Sequence, residues 1–379
     1  MMSWRRGTIE AQIRRWGQAI EYAVRLAPRD GSPHPPAPTG GPHSSTTVRA
    51  IAYVDLVGAP EIGDEVLLNT GALDKGLGTG GYAFVVAVPD RLPEVQLGVG
   101  HIVKARYTPL QQMFLAIDEQ DSPHHATLSA DDASVSLAGL PVVVADLHSA
   151  LPAILAGIRT VSPTARVAYV MTDGGALPMA FSRSVVGLVE AGWLASTITV
   201  GQAFGGQHEA VTLHSALLAC RHVLDVDVAV VIQGPGNVGT GTPWGYTGVA
   251  AGEALNAIHT LYGRGIAALR VSFADPRGRH RGLSHHSRTA YGKVCLVPAD
   301  VPVLSPTNDE QQLVSEQARD LVADAAGGLT LQMVDGSGLL EALGQSPVAL
   351  STMGRGLDED PEAFLASAAA GRYAASLLS

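Results

Sequence analysis

The chain has 379 residues, more than one hydrophobic core usually serves, and 46% of them are hydrophobic, so we expect two folded domains. With 25 Lys and Arg against 35 Asp and Glu, its formal net charge of -10 argues against nucleic acid as a partner. No apolar run approaches the roughly 18 residues that cross a bilayer, and the N-terminus lacks the apolar stretch of a signal peptide, so we expect a cytoplasmic protein without membrane contact.

The first 125 residues have the pattern of a small β-barrel. Residues 8–14 and 19–26 alternate polar and apolar side chains on either side of a turn that contains Gly17, which predicts a β-hairpin. Further strands are predicted at 48–53, 65–68, 82–87 and 100–104. Short strands separated by glycine-rich turns at such intervals are typical of barrels, so we predict a β-barrel domain over residues 1–125.

A proline-rich segment, residues 28–46, interrupts this module. Prolines cannot donate to a strand ladder, and the segment has almost nothing apolar to bury, so we predict a flexible surface loop. A proline-rich ligand for a recognition domain is the alternative, although it usually has more regular spacing.

Residues 126–379 have the pattern of a doubly wound, mainly parallel α/β domain. From Leu140 onward, apolar strands alternate with helices, which is typical of a parallel sheet covered on both faces. The predicted strands are 141–146, 166–171, 196–200, 226–232, 267–274, 292–297, 329–334 and 347–351. The predicted helices include 150–159, 180–191, 210–223 and 248–261. The fold class is therefore α/β, with a small β-barrel placed before the α/β domain.

Acids and histidines follow five consecutive predicted strands, at the edge where open α/β sheets bind their ligands. The candidate catalytic residues are Asp146, His148, Asp173, His208, Glu209, Asp275, His285 and His286. Carboxylates and imidazoles transfer protons, and they also bind divalent metals. No spacing matches a fixed metal motif, so hydrogen-bonding roles remain open for these histidines and the metal content is undetermined.

Three of these acids, Asp146, Asp173 and Asp275, each follow an apolar run directly. The carboxyl ends of parallel strands share one edge, so we expect the three carboxylates to converge. Neighbouring carboxylates repel each other, which predicts either a raised pKa for one of them or a basic side chain or cation between them.

Two later segments offer candidates for anion or cofactor binding. Residues 234–242 have the pattern G-x-G-x-x-G-x-G, whose glycines allow backbone N–H groups to approach a phosphate. The candidates are Gly234, Gly236, Gly239, Thr240, Gly241 and Thr242, together with Arg277, Arg279 and His280 of the basic segment that follows. The dinucleotide and P-loop motifs are not reproduced. For the glycines, a phosphate or nicotinamide site and a structural turn both remain open. For the arginines, a solvated loop is the alternative to anion binding. The cofactor is undetermined.

Several segments together resemble a known bacterial family. The motifs that carry the resemblance are Leu-Gly-Thr-Gly-Gly-Tyr (77–82), Arg-Tyr-Thr-Pro-Leu-Gln (106–111), Val-Met-Thr-Asp-Gly (170–174), Ala-Phe-Gly-Gly (203–206), Gly-Pro-Gly (234–236), Val-Gly-Thr-Gly-Thr (238–242), Ser-Phe-Ala-Asp-Pro-Arg (272–277), Arg-His-Arg-Gly (279–282) and Ser-His-His (284–286). Over about residues 7–305 the chain resembles the family of the domain of unknown function 3866, with residues 28–46 as an insertion. The resemblance supports the two-part architecture and implies no reaction.

The leading functional hypothesis is an enzyme that acts on a small anionic or phosphorylated metabolite at the strand ends. The alternative is a non-catalytic small-molecule-binding or regulatory protein that uses the same pocket. A third hypothesis is a structural subunit whose edge residues form a homo-oligomer interface. Acids that lie close together would favour the enzyme, whereas arginines without convergent acids would favour the binding protein.

Overall fold

The structure is a computed structural model that describes residues 3–28, 47–77, 80–94, 100–130 and 136–378. The chain divides into two compact units, residues 1–97 and 98–379. This division falls before the boundary near residue 125 that we expected. The segment 100–125 lies in the second unit because it carries Lys104, whose side chain is buried against Glu209. Apart from Pro28, the proline-rich segment lies outside the described residues.

The first unit contains a closed five-stranded barrel. Its elements are β1 (Trp4–Trp16), β2 (Ala19–Leu26), β3 (Thr47–Tyr53), α1 (Val54–Val57), β4 (Glu65–Asn69), α2 (Gly71–Asp74) and β5 (Ala83–Ala87). The strand order is β1-β2-β3-β5-β4, and β1 closes the barrel by pairing with both β2 and β4. Inward side chains such as Ile9, Val24 and Leu68 form its core. The predicted hairpin and barrel are therefore confirmed.

The second unit begins with the hairpin β6 (Ile102–Lys104) and β7 (Gln112–Phe114), followed by α3 (His125–Leu128). Its first half then contains β8 (Pro141–Ala145), α4 (Leu151–Arg159), β9 (Val167–Thr172), α5 (Arg183–Glu190), β10 (Ser196–Thr199), β11 (His208–Glu209), α6 (Leu213–His222), β12 (Val228–Gln233), α7 (Ala250–Thr260) and β13 (Arg264–Ala267). The second half contains β14 (Val271–Ser272), β15 (Gly282–Leu283), α8 (His285–Thr289), β16 (Asp300–Leu304), α9 (Asp309–Asp324), β17 (Thr330–Val334), α10 (Leu339–Gly344), β18 (Ser351–Thr352), β19 (Arg355–Gly356) and α11 (Pro361–Ser376).

Eight of these strands form one parallel sheet in the order β11-β10-β9-β12-β8-β13-β16-β17. Alternate residues of β8 enter different cores, because Val142 and Val144 pack on one face and Val143 and Ala145 on the other. Burial on both faces explains why the strands are continuous apolar runs. The predicted doubly wound sheet is confirmed. Within the described part of the chain, no helix combines the length and apolar character needed to cross a bilayer.

Three predicted strands of the second unit do not lie at the residues that we expected. Residues 292–297 do not form a strand, since Ala290–Val294 continue α8 as a π-helix and the next strand is β16. A short buried apolar run has the same composition in either structure, which explains the error. The predicted strand 267–274 is divided between β13 and β14, and of 347–351 only the last residue enters a strand, β18.

Candidate functional site

The chain reverses its direction across the sheet at β8. It runs from β8 to β9, β10 and β11 on one side, returns to insert β12 beside β8, and continues through β13, β16 and β17 on the other side. Open α/β sheets bind ligands at the carboxyl ends of the strands at such a point. Four of the candidate segments follow β10, β9, β12 and β8, which are contiguous, so their ends share one edge of the sheet as predicted. The fifth segment, residues 275–286, follows β14, which pairs with β15 outside this sheet.

Asp146 follows β8 directly, at this reversal point, and is buried between two basic groups. Its Oδ2 lies 3.2 Å from Nδ1 of His286 and 3.5 Å from Nη1 of Arg270. Burial raises the pKa of Asp146, but the hydrogen bond from His286 and the charge of Arg270 outweigh burial, and the pKa lies below its ordinary value. Asp146 is therefore ionised at neutral pH. Its Oδ1 has no hydrogen-bond partner among the described residues.

The helix that carries His286 is anchored to the ends of β8 and β13. Tyr291 donates from Oη to the carbonyl oxygens of Val144 and Ala268, at 3.0 and 3.1 Å. The imidazole of His286 stacks on the ring of Tyr246 with 3.7 Å between centroids. Tyr246 also donates from Oη to the His286 carbonyl at 2.7 Å. These contacts fix the position of the His286 ring at the edge of the sheet.

A cavity of about 480 Å³, open to solvent, lies beside Asp146. Its walls are the segment after β8, residues 268–275 and the hairpin of β18 and β19. Two arginines, Arg270 and Arg355, line it together with the carboxylates of Asp146 and Asp275. This volume includes open solvent, and only about 30 Å³ of it is space that the centre of a water molecule can reach. The cavity is therefore a narrow opening whose lining carries charges of both signs.

The two arginines of the cavity keep unused donors. Arg270 places Nη1 2.8 Å from Nδ1 of His286, but its Nε and Nη2 have no partner among the described residues. Arg355 donates from Nε to Asp360 at 3.2 Å, and its Nη2 lies 3.8 Å from Asp275. Nη1 of Arg355 has no hydrogen-bond partner among the described residues. A guanidinium with free donors can bind a carboxylate or a phosphate.

The carboxylate of Asp275 is already paired. Arg277 donates to it from Nε at 2.9 Å and from Nη2 at 2.7 Å. The hydrogen bonds from Arg277 hold the pKa of Asp275 well below its usual range, against the effect of burial. Arg277, a candidate for anion binding, is therefore engaged by a residue of its own loop. Basic side chains accompany both Asp146 and Asp275, whereas a basic side chain between the two carboxylates stays a prediction.

His280, His285 and His286 form a cluster next to this cavity. Their ring centroids are 4.5–5.1 Å apart, and each ring offers a nitrogen within 4.8 Å of the other two. Burial lowers the pKa of His280 to about 3 and that of His285 to about 4, and nearby positive charges act in the same direction. His280 and His285 are therefore neutral, the form in which imidazole binds metals. Within the described part of the chain, no other group of three ligand residues lies this close together.

A second buried charged group lies at the other end of the edge, near β10 and β11. Nζ of Lys104 donates to Glu209 at 2.6 Å and to the carbonyl oxygens of Thr199 and Ala203 at 3.0 and 2.7 Å. Glu209 also accepts from Oγ1 of Thr199 and from the backbone of Gly205. Burial lowers the pKa of Lys104 and raises that of Glu209. Every donor of Lys104 and both oxygens of Glu209 are used within the protein.

The other candidates near β9 and β10 also have local partners. Asp173, which is exposed, accepts from the backbone N–H of Gln202 at 2.9 Å. It does not line the cavity beside Asp146, because β12 separates β9 from β8, so the expected convergence of three aspartates is wrong for Asp173. His208 is half-buried, and burial together with the charge of His124 lowers its pKa.

His148 belongs to a chain of hydrogen bonds beneath the sheet edge. Its Nδ1 lies 3.1 Å from Oη of Tyr169, and its Nε2 lies 2.7 Å from Oγ of Ser182. Tyr169 donates to the carbonyl of Ile232, so its oxygen accepts from His148. Burial lowers the pKa of His148 to about 4. The neutral ring connects three elements of the fold and is not a lining residue of the cavity.

The threonine hydroxyls of the glycine-rich loop have partners inside the loop, whereas the backbone N–H groups of Gly236, Gly239 and Gly241 have no hydrogen-bond partner among the described residues. Oγ1 of Thr240 and Oγ1 of Thr242 are 3.1 Å apart, and the N–H of Gly245 donates to Thr242 at 3.0 Å. Gly239 forms an antiparallel bridge with Tyr246. Gly234, Gly236 and Gly241 complete the loop, the last two with φ of 93° and 80° that favour glycine. None of residues 234–242 lines the cavity beside Asp146, although the exposed Arg279 lies close to Gly241.

Sequence reasoning missed three residues of this edge. Arg270 fell inside the predicted strand 267–274, where a side chain was not expected to face a ligand. Arg355 belongs to no motif and reaches the cavity through a hairpin far along the chain. Lys104 was not among the candidates, and the structure buries it at the edge against Glu209. Arg270 ends the sequence Ala-Ala-Leu-Arg, shortly after the apolar run of β13. That position could have marked it as a candidate.

The family comparison agrees with the motif resemblance. The model of the family described as protein of unknown function (DUF3866) matches residues 49–371, most of the chain. No curated protein and no solved structure gives a significant match. The assignment of a function therefore depends on the geometry of the site.

Proposed function

The chain belongs to the DUF3866 family, whose function is unknown, and we propose that it is an enzyme acting on a small anionic metabolite in the cavity beside Asp146. The observation that carries the proposal is that two arginines with unused donors and an ionised carboxylate with an unused oxygen line one cavity. The cavity lies where the sheet topology favours ligand binding.

Arg270 and Arg355 are the anion-binding groups of the proposal. The side chain of Arg270 is only 9% exposed, so an anion that it binds is largely removed from water. Hydrogen bonds to a charged group are stronger in such a buried site than in bulk solvent. Ser149 donates to Oγ1 of Thr352 at 3.1 Å, so the Thr352 hydroxyl, which lines the same cavity, can supply a further donor to a phosphate or carboxylate.

Asp146 is the group that would accept a proton from the bound substrate. His286 and Arg270 hold its Oδ2, which leaves Oδ1 for the ligand. A general base must lie within hydrogen-bond reach of the proton that it abstracts. Since the anion-binding donors of Arg270 belong to the same cluster, a substrate held by them is brought close to Asp146.

A non-catalytic binding protein is the second candidate, and the pairing of Asp275 with Arg277 favours it. That pairing removes one of the acids that we expected to act on a substrate. Among the described residues that line the cavity, Asp146 alone then retains a carboxylate oxygen without a hydrogen-bond partner. The two candidates therefore differ in whether a bound anion is converted or recovered unchanged.

Anion binding can be tested by calorimetry with inorganic phosphate and malonate on metal-free protein. Arg270→Met should weaken binding by about 10- to 100-fold, because a charged hydrogen-bond donor is lost. Arg279→Met is the matched control, since Arg279 is exposed beside the glycine-rich loop and outside the cavity. If Arg279→Met weakens binding and Arg270→Met does not, the anion lies at the glycine-rich loop and the proposal fails.

Turnover can be tested by incubating the protein with small phosphorylated and carboxylated metabolites and following each by mass spectrometry. The wild type should consume at least one of them, whereas Asp146→Asn should bind it without converting it. If the wild type binds an anion and returns it unchanged throughout the panel, the non-catalytic binding protein is the correct alternative.

A further inference from the structure

The three clustered histidines come from one short segment whose backbone brings them together. His280 ends a 3-10 helix, Gly282 reverses the chain with φ of 66°, and β15 pairs with β14. Ser284 then caps α8 by accepting from the backbone N–H of His286. Because of this turn, side chains one to six residues apart in sequence face a common point, which an extended segment would not achieve.

One fully buried ring nitrogen of the cluster has no hydrogen-bond partner among the described residues. Nδ1 of His280 lies 2.7 Å from Oγ of Ser284, and the His280 side chain is almost fully buried. Nε2 of His285 is buried and has no hydrogen-bond partner among the described residues. A buried nitrogen of this kind costs stability unless something binds it.

Asp146 stands behind the cluster in the position of a supporting carboxylate. It lies 3.2 Å from Nδ1 of His286, whose side chain is 12% exposed. Metal-binding histidines commonly donate their second ring N–H to a carboxylate, which orients the ring and raises its basicity. Coordination through Nε2 of His286 would place the proton on Nδ1, where it could donate to Asp146. Nη1 of Arg270, which can only donate, lies 2.8 Å from the same Nδ1, so Arg270 would have to move away when the metal binds.

We propose that His280, His285 and His286 bind one divalent transition-metal ion of the zinc class. Three imidazoles with an open fourth position are the ligand set of catalytic zinc sites. A tetrahedral ion with bonds of about 2.1 Å holds its ligand atoms roughly 3.4 Å apart, so the rings must close by about an ångström when it binds. The three metal ligands do not line the anion cavity, but the two sites share Asp146, and Arg270 of the cavity contacts Nδ1 of His286.

Packing without a metal is the competing explanation of the cluster. Histidine rings do stack on aromatic neighbours, and His286 stacks on Tyr246. Stacking explains the position of one ring but gives no partner to the buried nitrogen of His285. A metal ion accounts for all three rings together and for the carboxylate behind them.

The site can be tested with cobalt and zinc ions alone, added to full-length protein that has been stripped with a chelator. Calorimetry should show about one zinc ion per chain, and cobalt should give the intense visible absorption of a tetrahedral site. His285→Gln should abolish both. Asp146→Asn should weaken zinc binding by about 10- to 100-fold, the usual effect of removing a supporting carboxylate.

His214→Gln is the matched control, since His214 is exposed in α6 and distant in sequence from the cluster. It should bind zinc like the wild type, and an equal loss in this variant would show that binding is on surface histidines. If His285→Gln does not fold, X-ray absorption of the zinc-loaded wild type decides, because three imidazoles are required. Fewer than three would overturn the proposal, whatever the result of the anion titrations.

Discussion

The two ends of the sheet edge both bury charged side chains, yet they differ in what those side chains leave unused. Near β10 and β11, Lys104 and Glu209 satisfy one another and the surrounding backbone completely. Near β8 and β13, Asp146 and Arg270 contact each other but retain a free oxygen and free donors. Unused polar atoms of this kind lower stability unless a ligand satisfies them. A candidate site therefore differs from a buried structural pair in having polar atoms without hydrogen-bond partners.

The largest expected effect comes from breaking the satisfied pair. Lys104→Met should lower the free energy of unfolding by about 3–5 kcal/mol, because it leaves Glu209 buried without its counter-charge. Urea denaturation of the wild type and the variant measures this difference. The double variant Lys104→Met/Glu209→Leu should recover much of the loss, since it removes both charges. A single variant as stable as the wild type would mean that the pair is not buried.

A second effect concerns His148, another buried group whose partners are all internal. In the unfolded chain its pKa is about 6.5, whereas burial in the folded protein lowers the pKa to about 4. Between pH 4 and pH 6.5 the unfolded state binds more protons than the folded state. The stability that neutral His148 contributes is therefore fully present above about pH 6.5 and is lost as the pH falls toward 4. The loss should reach about 3 kcal/mol by pH 4.

This pH effect is measured as the difference between urea midpoints of the wild type and His148→Gln from pH 7.5 to 4. The wild type should lose more stability on acidification than the variant. Parallel pH profiles for the two proteins would show that His148 takes up its proton as readily in the folded protein as in the unfolded chain.

The smallest effect is expected at Asp173, which the sequence placed among the catalytic residues. Asp173→Asn keeps an oxygen to accept from the backbone of Gln202 and changes only an exposed position, so stability should change by no more than about 0.5 kcal/mol. Phosphate binding, measured by calorimetry, should be unchanged. A large loss of binding would place the ligand at the β9 end of the edge and would remove the contrast between the two ends.

The sequence predicted the architecture and the correct edge of the sheet. Apolar runs buried on both faces identify parallel strands, and the residues after them must share an edge, which places Asp146 there. Asp275 lines the same cavity, but it follows β14, which lies outside the parallel sheet. The strand order was not predictable, because it depends on where β12 inserts. That insertion separates Asp173 from Asp146.

The chemical roles of the candidates could not be separated by sequence. His208-Glu209 and His285-His286 are similar pairs of polar residues after a strand, but only the second lies beside unused donors. Glu209 is neutralised by Lys104, which is 105 positions earlier in the chain. Partners at such distances depend on tertiary packing. Arg355 was missed for the same reason, since its hairpin reaches the cavity from late in the chain.

The most direct test of the contrast between the two ends is a crystal structure of the protein grown with inorganic phosphate. We expect phosphate density within hydrogen-bond distance of Arg270 and Arg355, with the Lys104 and Glu209 pair unchanged. A cavity that holds only water at saturating phosphate, or phosphate bound at residues 234–242 in its place, would contradict the claim that the β8 and β13 end is the functional site.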